Sequence, residues 1–180
     1  MTVRANKPAF NVREKLKSLD YSHVPYEKMP PGSVIQTKFE STNASVTYSG
    51  SGYIDTGMNV RITPKFASSL IVIQIAPQYR MSGNYDFGIG FQVKKSVANG
   101  AETTVLTPAT NYENYFYDSD STTGMDVRGR AIMLVDDYPN TTESINYKVY
   151  FAPYRTDYGT VTKFCDNSNR SFMHIWEIRQ

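Results

Sequence analysis

The sequence predicts an all-β protein, an antiparallel β-sandwich of jelly-roll-like type, preceded by an arm that contains one short helix. Three observations carry that prediction. Apolar residues recur with period two in short runs at roughly ten-residue spacing, the pattern of half-buried strands. Clusters of Gly, Pro, Asn, Asp and Ser separate the runs. Composition agrees: the 180 residues include fourteen Tyr, nine Phe, eleven Gly and nine Pro, a mixture suited to strands and turns rather than helices.

The arm comes first. Asn11 with Glu14 three residues later reads as a capping box, a pattern in which the first side chain can accept from the first turn while the second reaches back. Val12, Leu16 and Leu19 then fall on one stripe, with Arg13, Lys15, Lys17 and Ser18 off it. The helix, about residues 12–20, is too short to persist alone in water, so its stripe needs a surface on the body or on another chain. Val12, Leu16 and Leu19, flanked by Arg13 and Lys17, are therefore the candidate docking residues. Residues 1–31 hold six Lys or Arg and three acids, a net of +3, while residues 32–180 hold thirteen and fourteen, a net of −1. A basic arm precedes a neutral body. Pro25, Pro30 and Pro31 in "SHVPYEKMPPG" mark an extended, stiff spacer, and the sandwich is expected over residues 32–180.

Within the body, 34–39 and 44–48 read as strands, with Ser49-Gly50-Ser51-Gly52 as a turn. Residues 58–63 alternate, with Met58, Val60 and Ile62 on one side and Asn59, Arg61 and Thr63 on the other. The next strand, 69–76, contains the nearly unbroken apolar run Leu70 to Ile75 and so lacks a wet face. Residues 87–95 alternate and lead to Asn99-Gly100, a strong hairpin signal. Strands 103–106, 127–135, 145–152 and 172–179 complete the set. On the last, Met173 and Ile175 share one face and Phe172, His174, Trp176 and Ile178 the other. Both faces are apolar. Since contiguous apolar surface is rare on monomers, these four residues are the candidate oligomer seam. The alternative is a central strand covered by the chain's own loops.

Chemistry is sparse. Cys165 is the one cysteine, so no intrachain disulfide can form, and its flanks read as a buried or bystander thiol. The two histidines, His23 and His174, belong to no HxH, HExxH or CxxC pattern, and there is no GxSxG elbow. No cofactor is expected. Asp118, Asp120 and Asp126 share one loop, yet the EF-hand template fails because Thr123 stands where its Gly belongs. The near-neutral body argues against nucleic-acid binding. No apolar stretch is long enough to cross a bilayer as a helix, and the first residues lack a secretory signal. The expectation is a soluble protein made in a cytoplasm.

One loop rises above this background. "NYENYFYDSDSTTG", residues 111–124, sets Tyr112, Tyr115 and Tyr117 among Asn, Asp, Ser and Gly. Tyrosine supplies rigid contact area with a hydroxyl at low entropic cost, so such loops recur in binding surfaces and stack on sugar rings. Tyr112, Tyr115 and Tyr117 are the candidate receptor loop, with a host-surface glycan as partner. "PQYRMSGNYDFG", with Tyr79 and Tyr85, is a weaker candidate. The competing reading packs these tyrosines on the sandwich edge or a sister subunit.

"PPGSVIQ", "YIDTGMNVRITPKFASSLIVIQI" and the closing "RSFMHIWEI" resemble fibre-head-like structural proteins of tailed phages, especially cyanophages. The matching positions include Asp55, Thr56, Gly57, Thr63, Pro64 and Ser69; residues 98–126 match nothing of that kind. The resemblance implies a virion structural protein, a trimeric β-sandwich fixed to capsid or tail proteins through its arm, with no enzymatic activity. The motif also reads physically: Asp55-Thr56-Gly57 turns the chain into a strand, with Gly57 in a conformation costly to other residues, and Pro64 ends that strand. A carbohydrate-binding module on the same fold is the second reading and a glycan-degrading enzyme the third.

Overall fold

A computed structural model describes residues 25–107, 114–117, 125–157, 160–166 and 169–180. The chain divides into two compact units, residues 1–30 and 31–180. The described part of the first is a single 3-10 turn, Tyr26–Lys28, in which Lys28 N–H donates to Pro25 C=O at 2.8 Å. The expected extended spacer is thus turned at this point. The expected helix over 12–20, with Val12, Arg13, Leu16, Lys17 and Leu19, lies outside the described residues.

The second unit contains thirteen strands among the described residues: β1 Val34–Thr42, β2 Val46–Tyr48, β3 Ile54–Ile62, β4 Leu70–Ala76, β5 Gln78–Gly83, β6 Phe87–Val97, β7 Thr103–Leu106, β8 Asn114–Phe116, β9 Met125–Arg130, β10 Met133–Asp137, β11 Ile145–Pro153, β12 Val161–Phe164 and β13 Ser171–Ile178. They form three antiparallel sheets, ordered β1-β13-β4-β10, β2-β12-β5-β9 and β3-β11-β6-β7, with β8 added beside β6. The first two orders are the same order. β1 runs on into β2, β4 into β5, β9 into β10 and β12 into β13, so these sheets are halves of one four-stranded sheet creased across its middle. Counting each creased pair as one strand and leaving aside the short β8, eight strands order as 1-8-3-6 opposite 2-7-4-5, the connectivity of a jelly roll. The expected fold class is the one found.

The crease is a set of hydrogen bonds among four chain segments. Cys165 N–H donates to Gln78 C=O at 2.9 Å, Asp166 N–H to Gln78 Oε1 at 2.7 Å, Gln78 N–H to Ser171 Oγ at 2.8 Å and Ala131 N–H to Pro77 C=O at 3.1 Å. Pro77 cannot donate, so a ladder break at that position leaves no orphaned N–H. Cys165 adopts φ 50° and is fully buried; its role is to turn the chain from β12 into β13.

Both halves close over the opposing sheet. The core alternates as period two requires: Met58, Val60 and Ile62 of β3, Phe87, Ile89, Phe91 and Val93 of β6, and Ile145, Tyr147, Val149 and Phe151 of β11 meet Ile71, Ile73 and Ile75 of β4 and Met173 and Ile175 of β13. Phe151 stacks on Phe164 with ring centroids 6.4 Å apart. The creased sheet departs from the expected elements in two ways. Residues 78–83, read as loop, form β5, and the single strand expected over 127–135 is two strands in different halves. Ala131 is buried at that break and Ile132 turns outward. The strand β12 carried too short a pattern to be read.

Candidate functional site

The three outer faces differ in chemistry. On the β2-β12-β5-β9 half, Lys163 lies opposite Thr47 and Arg80, and Arg80 opposite Arg128. Asp126 accepts from Arg80 Nε at 2.8 Å, and Asp166 lies 3.6 Å from Arg80 and 3.5 Å from Arg128. On the opposing sheet, Lys148 sits 2.8 Å from Glu102 and 3.6 Å from Asp55, while Tyr150 OH donates to Glu102 at 2.7 Å. The hydrogen bond from Lys148 holds Glu102 below its ordinary range. Both faces are interlocked charge, suited to water.

The outer face of β1-β13-β4-β10 is apolar. Cross-strand register sets Phe39 beside His174, Thr37 beside Trp176 and Val34 beside Ile178, then Trp176 beside Val72, His174 beside Gln74 and Ile178 beside Leu70. Leu134 lies beside Gln74 on the far border. Phe39 stacks on Phe172 with centroids 6.3 Å apart and meets His174 edge-on at 5.8 Å; His174 and Trp176 are 4.0 Å apart. Phe39 is 58 % exposed, Leu134 68 % and Ile132 73 %. The charge at an outward strand position here is Asp136, opposite Val72. Phe172, His174, Trp176 and Ile178 therefore share one face, as their spacing predicts, and each is half-buried by its neighbours in the sheet. β13 is a central strand, flanked by β1 and β4. Leu70, Val72 and Gln74 are half-buried as well, so the second side of the apolar run is partly sheltered, not sealed. Phe39 and Leu134 were missed in sequence because each stands alone in its own strand and gains its neighbours only by pairing.

A second cluster lies around β8. Tyr115 is paired opposite Gly88, and Phe116 stacks on core Phe87 with centroids 6.0 Å apart. Tyr115 OH donates to Asp86 Oδ2 at 2.6 Å, which pushes the Tyr115 pKa up to about 12. Arg155 donates to the other oxygen of Asp86 and, through Nε, to Asp157 at 2.8 Å. Its guanidinium lies 4.9 Å over the Tyr85 ring, and Tyr154 meets Tyr115 edge-on at 5.5 Å. Of the expected receptor loop, Tyr115 and Tyr117 are exposed on this rim; Tyr112 lies outside the described residues. Sequence reading missed Asp86, Tyr154 and Arg155, which are remote in the chain and meet only in the fold.

The remaining candidates fall into scaffold. Asp126 is tied to Arg80, while Asp118 and Asp120 lie outside the described residues; among the described residues no group of His, Cys, Asp and Glu is placed to hold a metal ion. No described helix is long and apolar enough to cross a membrane. Asp55 Oδ1 accepts from Gly57 N–H at 2.7 Å, Gly57 has φ 76°, and Thr56 Oγ1 donates to Val149 C=O at 2.7 Å. These motif residues build β3.

A jelly-roll sandwich with one apolar outer face and an aromatic rim is the class this structure defines. No protein-family model matches the chain. No curated protein matches it. Similar solved structures include VP2 of infectious bursal disease virus in its subviral particle, at 12% sequence identity and TM-score 0.44, covering 82% of this chain and 33% of that one. The structure of the Gx strain of the same virus is similar at 12% identity and TM-score 0.43, covering 81% and 33%. This chain thus spans about a third of the length of those chains.

Proposed function

We propose that the protein is a non-enzymatic structural component of a phage virion, a capsid decoration or a tail-fibre or tail accessory protein. Its N-terminal arm, residues 1–31, docks to a capsid or tail protein through Val12, Leu16 and Leu19 with Arg13 and Lys17. The sandwich of residues 32–180 assembles as a homotrimer and displays its far loops. It is made in the host cytoplasm and resides in the virion. The motif resemblance supports the virion assignment, and one structural observation carries the assembly: the outer face of β1-β13-β4-β10 is apolar where the other two outer faces are networks of charge. Water-exposed Phe39, Leu134 and Ile132, on the face that also carries half-buried His174 and Trp176, give the apolar centre of an interface.

The edge of this sheet is less suited to association than its face. Lys38 and Glu40 of β1 stand opposite Ile175 and Met173, which places charges on the inward side of the edge strand, a device that opposes edge-to-edge pairing. The test is sedimentation of the full chain and its Trp176→Glu variant. The expected result is a trimer that dissociates in the variant while far-ultraviolet dichroism is unchanged. A monomeric parent, or a variant that stays assembled, overturns the reading.

A further inference from the structure

We propose that the rim formed by Tyr115, Tyr117, Tyr154, Arg155 and Asp157 binds a neutral saccharide. This deepens the display role given above and rests on it for its position on the particle. The chain enters the sandwich where Gly32 N–H donates to Arg179 C=O at 2.7 Å and Arg179 N–H to Ser33 C=O at 2.9 Å. From there β13 and β12 run back past the crease to Val161, paired with Ser82 at the end that also holds Gly83, Phe87 and Pro153. At about 3.3 Å per residue, the rim stands roughly 30 Å from the point where the arm joins. An arm-anchored head would present the rim outward.

The chemistry fits a sugar ring. The C–H face of a pyranose is apolar with slightly positive hydrogens and packs on the negative face of an aromatic ring. Tyr117 is 68 % exposed and follows directly on β8, two residues from Tyr115; Tyr154 is set edge-on to Tyr115. Phe116 faces the other way, onto Phe87. The Tyr115 ring is oriented before any ligand arrives: Asp86 holds its hydroxyl, and Arg155 ties Asp86 to Asp157. Fixed aromatic groups lose little freedom on binding.

The charge selects against anions. Asp86 and Asp157 bring two negative charges and Arg155 one positive, a net of one negative. Arg155 Nε, Nη1 and Nη2 all donate to carboxylates, so an anionic sugar meets an occupied guanidinium and an excess of like charge. A neutral sugar instead meets the Asp157 carboxylate, 57 % exposed, as an acceptor for its hydroxyls.

The test is binding of the full chain to immobilised neutral polysaccharides (glucan, mannan, galactan) and anionic ones (heparin, alginate), repeated for Tyr117→Ala and Tyr154→Ala. The expected result is retention on at least one neutral polysaccharide, none on the anionic ones, and a loss of about tenfold or more in each variant, the equivalent of one stacking contact. Thermal melting of each variant, unchanged from the parent, shows that the fold survives. No neutral ligand in the panel, retention only on anionic ones, or retention unchanged in both Tyr117→Ala and Tyr154→Ala overturns the proposal. Sedimentation of the same samples separates the two readings: loss of the trimer with sugar binding intact defeats the assembly alone, and the reverse defeats the rim alone.

Discussion

Ser69 Oγ donates a 2.6 Å hydrogen bond to Glu177 Oε1 across 108 residues of sequence. The same oxygen accepts from Lys65 N–H at 2.7 Å and Phe66 N–H at 3.3 Å, and Gln36 Nε2 donates to the other. Glu177 is fully buried. Its carboxylate thus pins the connection between β3 and β4 to the terminal strand. This is the physical content of a pattern in which Thr63-Pro64 precedes Ser69 and the chain closes on Glu177-Ile178: the Ser and the Glu are two ends of one bond.

Replacing Glu177 by Leu takes this acceptor from the Lys65 amide and the Ser69 hydroxyl, while Gln36 keeps its bond to Thr63 C=O, and is expected to cost about 3 kcal/mol or more. Ser69→Ala removes one donor and is expected to cost about 1–2 kcal/mol. Because the residues are bonded, the double variant should fall short of additivity by about 1 kcal/mol. Urea unfolding of the three variants checks this, and strict additivity would show that the bond carries no coupling.

The elements that were legible are those whose pattern answers to one sheet. β3 alternates because one of its faces meets the core and the other water, and β13 showed its two faces by the same period of two, although both are apolar. Gly57 was legible as a special backbone position, and its φ of 76° is one. The crease was not legible. Its bonds join Pro77, Gln78, Ala131, Cys165, Asp166 and Ser171, six positions with no shared local pattern. Strand β5 hid there, because Tyr79, Ser82 and Gly83 read equally well as a loop. The rim was half legible: Tyr115 and Tyr117 announce themselves by composition, whereas Asp86, the buried residue that orients Tyr115, is an ordinary acid until the fold surrounds it.

Lys95, Asp137 and Tyr147 form a second buried polar contact, between the layers. Lys95 Nζ lies 2.7 Å from Asp137 Oδ1, and Tyr147 OH donates to Asp137 Oδ2 at 2.6 Å. Lys95→Met strands the carboxylate and is expected to cost about 3 kcal/mol or more; Tyr147→Phe leaves the ion pair and is expected to cost about 1 kcal/mol. Burial, then the bond to Asp137, pushes the Tyr147 pKa up from 10.0. The folded protein therefore keeps this proton where the unfolded chain loses it, so the contribution is complete below about pH 10 and declines above it. Stability measured from pH 8 to 11 should fall less steeply in Tyr147→Phe; identical slopes would show that Tyr147 titrates as it does in the unfolded chain.

Tyr115 offers the same physics at an exposed site, where it can be read directly. Its pKa is pushed up to about 12, first by the hydrogen bond to Asp86 and then by desolvation and the negative charge of that carboxylate. Ionising the phenol would set two anions 2.6 Å apart, so the proton stays until solution forces it off. The contact with Asp86 is complete below pH 10.0, the ordinary tyrosine value, and is lost as the pH rises through about 12. Asp86→Asn removes the anion while retaining an oxygen for the hydroxyl, and Arg155 keeps its pair with Asp157. The Tyr115 ring carbon bearing the hydroxyl, followed by NMR in labelled protein, should titrate near 12 in the parent and at a clearly lower pH in the variant. A parent midpoint near 10 would mean that Asp86 does not hold this ring, and the rim would then lack the fixed orientation on which its recognition of a sugar depends.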